Sequence, residues 1–256
     1  IAAGTRVATV VSATQITLTL AATGTTNDLA ITKTHLAKII DADFPSAING
    51  PFIDMDGYLF VLDNSTNIYN SDLNSITSWS AASFIPANAK SGTLSGLARY
   101  KNMILIGKEN SIEFFRNAGN PIGSVLSRAD PIYINFGVER SVNVHFITIE
   151  DSLYFIGSKS SPDGRMGIYI LDGATARKIS PSSLDSLLQE DTLDHSSGFI
   201  YGGIKVIALT NIGETGGILF FPDLGIFCET GSTFDIRVHL NRIISTTSTT
   251  GKVYTF

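Results

Sequence analysis

The residues on which chemistry would rest are few and scattered. Four histidines, His35, His145, His195 and His239, lie far apart along the chain. No His-x-x-x-His or His-Glu-x-x-His pair occurs, so no helix face presents two imidazoles to a metal. His145 sits within VNVHFITI and reads as a half-buried strand residue. Cys228 is the one cysteine, which excludes an intrachain disulfide and a thiolate cluster. Its apolar setting, GIFCET, predicts a buried, inert thiol.

The carboxylates form no recognisable constellation either. Asp54-Met55-Asp56-Gly57 begins like a calcium loop, but its glycine arrives two positions early and a third acidic or amide ligand is missing. It reads better as a turn into the strand YLFVL. Ser161-Pro162-Asp163-Gly164 lacks the spacer and closing tryptophan of a sialidase box and reads as a Pro-Asp-Gly turn. A glycosidase needs two carboxylates across one cleft, about 5–10 Å apart. Glu109, Glu113, Glu139, Glu150 and Asp151 are candidates only in being acidic. No Gly-x-Ser-x-Gly elbow, dinucleotide fingerprint or phosphate loop occurs. The expectation is therefore no enzyme, with no catalytic, cofactor-binding or metal-binding residue and no cofactor.

Charge and composition narrow the class further. The net charge is −5 and the basic residues form no run, which argues against an electrostatic grip on nucleic acid. Only 16% of residues are charged, against roughly 25% in ordinary soluble domains, while glycine is abundant at 23. Glycines spread among short apolar runs predict many turns and short strands. No apolar stretch is long enough for a membrane helix. The opening IAAGTRV is not a signal peptide, and with no initiator methionine the chain reads as a piece of a longer one. Asn64-Ser65-Thr66 matches a glycosylation acceptor, as one triplet does by chance.

The elements that would position any site are repetitive. TRVATVV and QITLTLA, separated by SATQ, predict a hairpin within a small β module over 1–40. THLAKIIDAD predicts a short helix carrying Leu36, Ile39 and Ile40. From residue 41 to 256 one phrase recurs: a polar or glycine start, an apolar run, a polar loop, a second apolar run. Its copies begin near Asp56, Asn102, Asp151, Gly203 and Asn241. Spacings of roughly 40–50 residues with several strands in each are the mark of a β-propeller. A lone hairpin buries too little surface to persist, whereas copies packed face to face cover one another. The fold class is therefore all-β, a propeller-like array of about five repeats, the last of which stops mid-phrase at Phe256. One helix interrupts, in SPSSLDSLLQE, with Ser180 as N-cap, Pro181 in the first turn, and Leu184, Leu187 and Leu188 on the face that docks on a sheet.

The order of phrases over about residues 44–190 resembles the packaged-DNA stabilisation proteins of short-tailed bacteriophages, also called tail hub or head-to-tail stopper proteins. The resemblance lies in Ser78-Trp79 after the first hairpin, in Gly107, Ser111, Glu113 and Phe115 of GKENSIEFF, and in the Asn117-Ala118-Gly119 turn. FGVERSV and Arg177-Lys178-Ile179-Ser180 complete it. AGTRVATVVSATQITLTLAATGT is similar to a small β module of phage structural proteins. The resemblance implies a virion protein of the tail, made in the bacterial host cytoplasm, that acts by binding. Its implied partners are portal or adaptor ring proteins and tail needle or tailspike proteins. It also implies a homo-oligomeric ring, passive contact with packaged DNA, and no membrane. Past about residue 195 only the period continues.

Two other readings stand beside it: a propeller glycosidase or glycan-binding module, and a generic propeller interaction scaffold. Trp79 suits an interface anchor or a core pin, and its apolar neighbours Ile76, Phe84 and Ile85 favour the core. Hairpin tips suggest where partners would touch: Arg116, Asn117, Gly119 and Pro121 in one turn, Pro162, Asp163 and Arg165 in another, and Leu184 and Leu188 on the helix.

Overall fold

The structure, a computed structural model, describes residues 7–12, 15–18, 39–139, 146–157, 166–190, 193–211, 217–230, 235–239, 242–246 and 253–255. The chain separates into two units, Ile1–Lys38 and Ile39–Phe256. In the first, β1 (Val7–Ser12) and β2 (Gln15–Leu18) form the expected antiparallel hairpin, with Ser12 opposite Gln15. The expected helix fares differently. Most of it lies outside the described residues, but Ile39 and Ile40 are not helical, and Ile40 is 86% exposed. The turn at Asp41–Phe44 takes precedence there.

The second unit is a succession of antiparallel meanders. The first sheet contains β3 (Ile53–Met55), β4 (Tyr58–Leu62), β5 (Asn67–Ser71) and β6 (Trp79–Pro86). The second contains β7 (Leu94–Tyr100), β8 (Met103–Lys108), β9 (Ile112–Asn117) and β10 (Leu126–Ile134). The third contains β11 (Phe146–Ile149), β12 (Ser152–Gly157), β13 (Gly167–Asp172) and β14 (Thr175–Lys178). The fourth contains β15 (Leu193–Tyr201), β16 (Ile204–Asn211), β17 (Gly217–Phe221) and β18 (Ile226–Thr230). A fifth, three-stranded sheet contains β19 (Asp235–His239), β20 (Arg242–Thr246) and β21 (Val253–Thr255). The opening strands of successive sheets touch: β3 with β7, β7 with β11, β11 with β15, and β15 with β19. Sheets arrayed about their first strands are the blades of a propeller.

The recurring phrase begins at the two-residue turn between the first and second strands of each of the first four sheets. Met55 faces Tyr58, Tyr100 faces Met103, Ile149 faces Ser152, and Tyr201 faces Ile204. Such turns need left-handed backbone, supplied by Asp56-Gly57 at φ 54° and 80° and by Gly202-Gly203 at φ 59° and 82°. The repeat seen in the sequence is the repeat of these turns.

Packing explains why the second strands read as unbroken apolar runs. In MILIG, Ile104 and Ile106 join Met55, Phe60, Leu62 and Phe115 in the core between the first two sheets. Leu105, on the opposite face, joins Leu153, Phe155 and Tyr169 between the second and third. A strand buried on both faces cannot alternate polar with apolar. Between the third and fourth sheets lie Ile147, Tyr154, Ile156, Ile207, Leu209 and Phe220. Gly198 of β15 sits where a Cβ would come within 2.6 Å of both Ile147 and Ile149. Those side chains are buried and cannot swing away, so the neighbouring sheet approaches only because this residue is glycine.

The helix α1 (Ser182–Glu190) follows the third sheet. It starts one residue later than the sequence suggests, with the Asp185 N–H donating to the Pro181 carbonyl at 3.1 Å. Ser180 is not its cap. Its hydroxyl accepts from the Ile168 N–H at 2.9 Å and donates to the Asp185 carboxylate, which also pairs with Lys178. Ser180 thereby ties the helix to β13.

Replacing Gly198 by alanine overpacks this contact. We expect a loss of about 1–3 kcal/mol, read as a lower urea midpoint with an unchanged slope.

Candidate functional site

The phrase GKENSIEFF builds the most highly charged buried site among the described residues. β8 and β9 form a tight hairpin, with Gly107 opposite Ile112 and Ile106 opposite Glu113. Lys108 and Glu113 thereby project from adjacent strands, and both are buried, at 1% and 0% exposure. The Lys108 ammonium donates to Glu113 Oε1 at 2.6 Å, to the Lys90 carbonyl at 2.7 Å and to the Ala87 carbonyl. Glu113 Oε1 also accepts from the Lys90 N–H at 3.2 Å. Oε2 accepts from the Ala89 N–H at 3.2 Å and from Arg128 Nη1 at 3.1 Å. Arg128, on β10, reaches the Pro86 carbonyl at 2.9 Å and the Asn88 side-chain oxygen. Its guanidinium lies 5.6 Å from the Phe115 ring centre.

The carboxylate therefore makes four hydrogen bonds, which fill the acceptor capacity of its two oxygens. Buried charge is tolerated only when paired and fully bonded, and both conditions hold. Chemically the group is occupied, with no lone pair left to receive a proton from a substrate. Its partners reveal the role. Residues 87–90, directly after the end of β6, are the start of the link from the first sheet to the second. Glu113 and Lys108 bind that link's backbone amides and carbonyls, among them the buried carbonyl of Ala87, which would otherwise lack a partner. Arg128 holds the Asn88 side chain and the Pro86 carbonyl just before the link.

The other resemblance motifs serve the same purpose. A Cβ on Gly107 would meet Phe146 and Val138 at 3.0 Å, so the third sheet's first strand packs directly over this glycine. In FGVE, the Val138 N–H donates to the Lys108 carbonyl at 2.8 Å, and the Glu139 N–H donates to the Ile156 carbonyl at 2.8 Å. The Val138 carbonyl accepts from the buried Ser95 hydroxyl at 2.7 Å. Phe136 meets Tyr169 edge-on, ring centres 4.5 Å apart. This link stitches the second sheet to the third.

Trp79 is a core pin, 5% exposed, although Ile76 and Phe84 beside it in sequence are 65% and 40% exposed. Its ring meets Phe44 edge-on at 4.9 Å and its indole N–H donates to the Ile76 carbonyl at 3.2 Å. Its backbone N–H donates to Asp41 Oδ2 at 3.0 Å, and the Asp43 N–H donates to Asp41 Oδ1 at 2.9 Å. These donors, that of Asp43 first, hold the Asp41 carboxyl below its ordinary value of 3.8.

The proposed contact residues divide. Arg116, Asn117, Gly119 and Pro121 stand together on the β9–β10 hairpin, with Arg116, Gly119 and Pro121 exposed. Asn117 shapes this turn, accepting from the Gly119 N–H at 2.9 Å and donating to Asp56 of the first sheet at 2.9 Å. Ser124 closes it by donating to Asn70 at 3.0 Å. Pro162, Asp163 and Arg165 lie outside the described residues. Leu184 and Leu188 require correction as contact residues: both are fully buried, packed into the core of the third and fourth sheets. Cys228 is corrected in the other direction. It is exposed on the outer strand β18, because the second apolar run ends at Phe221 and the strand beyond it faces solvent. Lys108 and Arg128 were not singled out from the sequence. The one signal was a lysine closing the apolar run MILIGK. No group of three or more potential metal ligands occurs among the described residues.

Residues 1–200 match the family described as Bacteriophage P22 Gp10, beta-propeller. The chain belongs to this family of phage stabilisation proteins. It is accordingly a bacteriophage structural protein with a propeller fold. No curated protein matches. Among solved structures it is similar to Kluyvelomyces marxianus Hsv2, at 12% identity and a TM-score of 0.45, over 79% of this chain and 57% of that one. The chain thus spans little more than half the length of that relative.

Glu113→Ala leaves Lys108 buried without its counter-charge and should cost about 3–5 kcal/mol in urea unfolding. The double replacement Lys108→Met with Glu113→Leu should cost less than the single one, because the buried ammonium leaves with its counter-charge, while the partly exposed Arg128 keeps the Pro86 carbonyl and Asn88. For Asp41, a depressed carboxyl stabilises the fold above its ordinary value, and the contribution disappears as pH falls through the lower folded value. Emission from Trp79, the sole tryptophan, should therefore shift to the red as pH drops below 3.8. Asp41→Ala should show the shift already at neutral pH.

Proposed function

We propose that this chain is a tail-hub component that helps close the portal channel after packaging, retains the genome and connects the head to fibres, spikes or needle. The family match over residues 1–200 carries this reading. The site geometry supports it: the motif residues hold sheet to sheet, as a protein loaded by internal pressure requires, rather than facing a cleft. It acts by binding alone, in a ring of copies, with portal or adaptor proteins and needle or spike proteins as its partners. Its net charge of −5 suits a wall that DNA passes without adhering.

Packaged heads assembled without this chain should leak DNA, and adding the purified full protein should restore nuclease resistance. Heads that retain their genome without it would refute the proposal. The isolated protein should show no strong duplex binding at physiological salt by gel shift.

A further inference from the structure

The two ends of the sheet array differ, and contacts between sheets show which turns share an end. Arg99 of the second sheet pairs with Asp54 of the first at 3.7 Å, and Asn117 donates to Asp56. The Tyr100 hydroxyl accepts from the Gly173 N–H at 3.1 Å and lies 3.4 Å from the Leu171 carbonyl in the third sheet. Lys205 of the fourth sheet pairs with Glu150 of the third at 3.7 Å. Each of these residues lies at or beside a turn joining strands one and two, or three and four, of its sheet. In the first four sheets these turns therefore gather at one end. The opposite end carries the links between sheets, where residues 86–90 and Val138 are held by internal hydrogen bonds.

The turn end is both apolar and acidic. Its tips expose Leu73 (57%), Ile76 (65%), Ile122 (89%), Tyr201 (64%), Ile204 (40%) and Leu224 (56%). Phe52, Phe84 and Ile132 are exposed toward the link end, so exposed apolar tips set the turn end apart only in combination with its charge. With Asp54 and Glu150 paired as above, the remaining exposed charges there are Asp56, Asp72, Asp151, Asp172 and Asp223, against Lys101 and Arg116. An acidic rim repels phosphate and complements a basic protein face.

We infer that the turn end docks a partner protein whose contact face is basic with apolar hollows, and that the link end does not. This rests on the tail-hub reading and names the surface and partner chemistry that reading requires. The test places a photo-cross-linking amino acid in the full chain, within assembled particles, at Ile122 or Leu224 of the turn end and at Ser65 or Asn110 of the link end. The expected result is adducts to another virion protein from Ile122 and Leu224 only. Reversing charge with Asp151→Lys, Asp172→Lys and Asp223→Lys together should lower the yield by about tenfold or more. Adducts from Ser65 and Asn110 alone, adducts to DNA, or indifference to charge reversal would overturn the inference and leave the tail-hub reading intact. Absence of the chain from particles would overturn both.

Discussion

A carboxylate that cannot remain buried alone organises the centre of this structure. Glu113 has no exposure, and ionised carboxylates in that position are costly unless every acceptor site is filled. Here the filling groups come from three places: Lys108 on the neighbouring strand, Arg128 on the next, and the backbone of the link from the first sheet. One side chain thus makes the conformation of residues 86–90 and the pairing of β8, β9 and β10 conditional on each other. The hydrophobic cores between sheets supply most of the favourable free energy, but apolar contact is not directional. The charged cluster adds direction, since only one path of the link presents its amides to Glu113 and its carbonyls to Lys108.

The same logic recurs at the links that follow the second and third sheets. Val138 is bonded on both sides of its peptide, to Lys108 and to Ser95, and the next amide reaches Ile156 in the third sheet. Asp185 binds Ser180 and Lys178, fixing α1 on the third sheet. A phage structural protein of this family gains from such stitching, because sheets that touch only through apolar faces can slide or peel, whereas links with satisfied backbone groups resist both. At the other end the turns are also joined sheet to sheet, through Arg99–Asp54, Tyr100–Gly173 and Lys205–Glu150, and they leave apolar side chains exposed as well.

Much of the architecture was legible because strand repeats leave a period in the sequence. The turns Asp56-Gly57 and Gly202-Gly203 lie where the phrase begins, and MILIG and LYFIG are apolar throughout because both faces of each strand are covered. The helix was legible within a residue. The charged cluster was not. Lys108 and Glu113 look like ordinary hairpin residues, and Arg128 is too far away in sequence to be linked to them without knowing the sheet order. The exposure of Cys228 was misread for a related reason: the outermost strand of a sheet resembles its inner neighbours in composition but lacks a sheet covering it. Leu184 and Leu188 were read both as a docking stripe and as a contact surface, and the fold uses them for the first.

Hydrogen exchange at residues 87–90 tests the central claim most directly. If Glu113 fixes the link, the Ala89 and Lys90 amides should exchange as slowly as those of β8 and β9. Glu113→Gln should release them to rapid local opening, while β12 and β13 keep their protection. Exchange at loop rates in the unaltered protein, or protection unchanged by Glu113→Gln, would contradict the account.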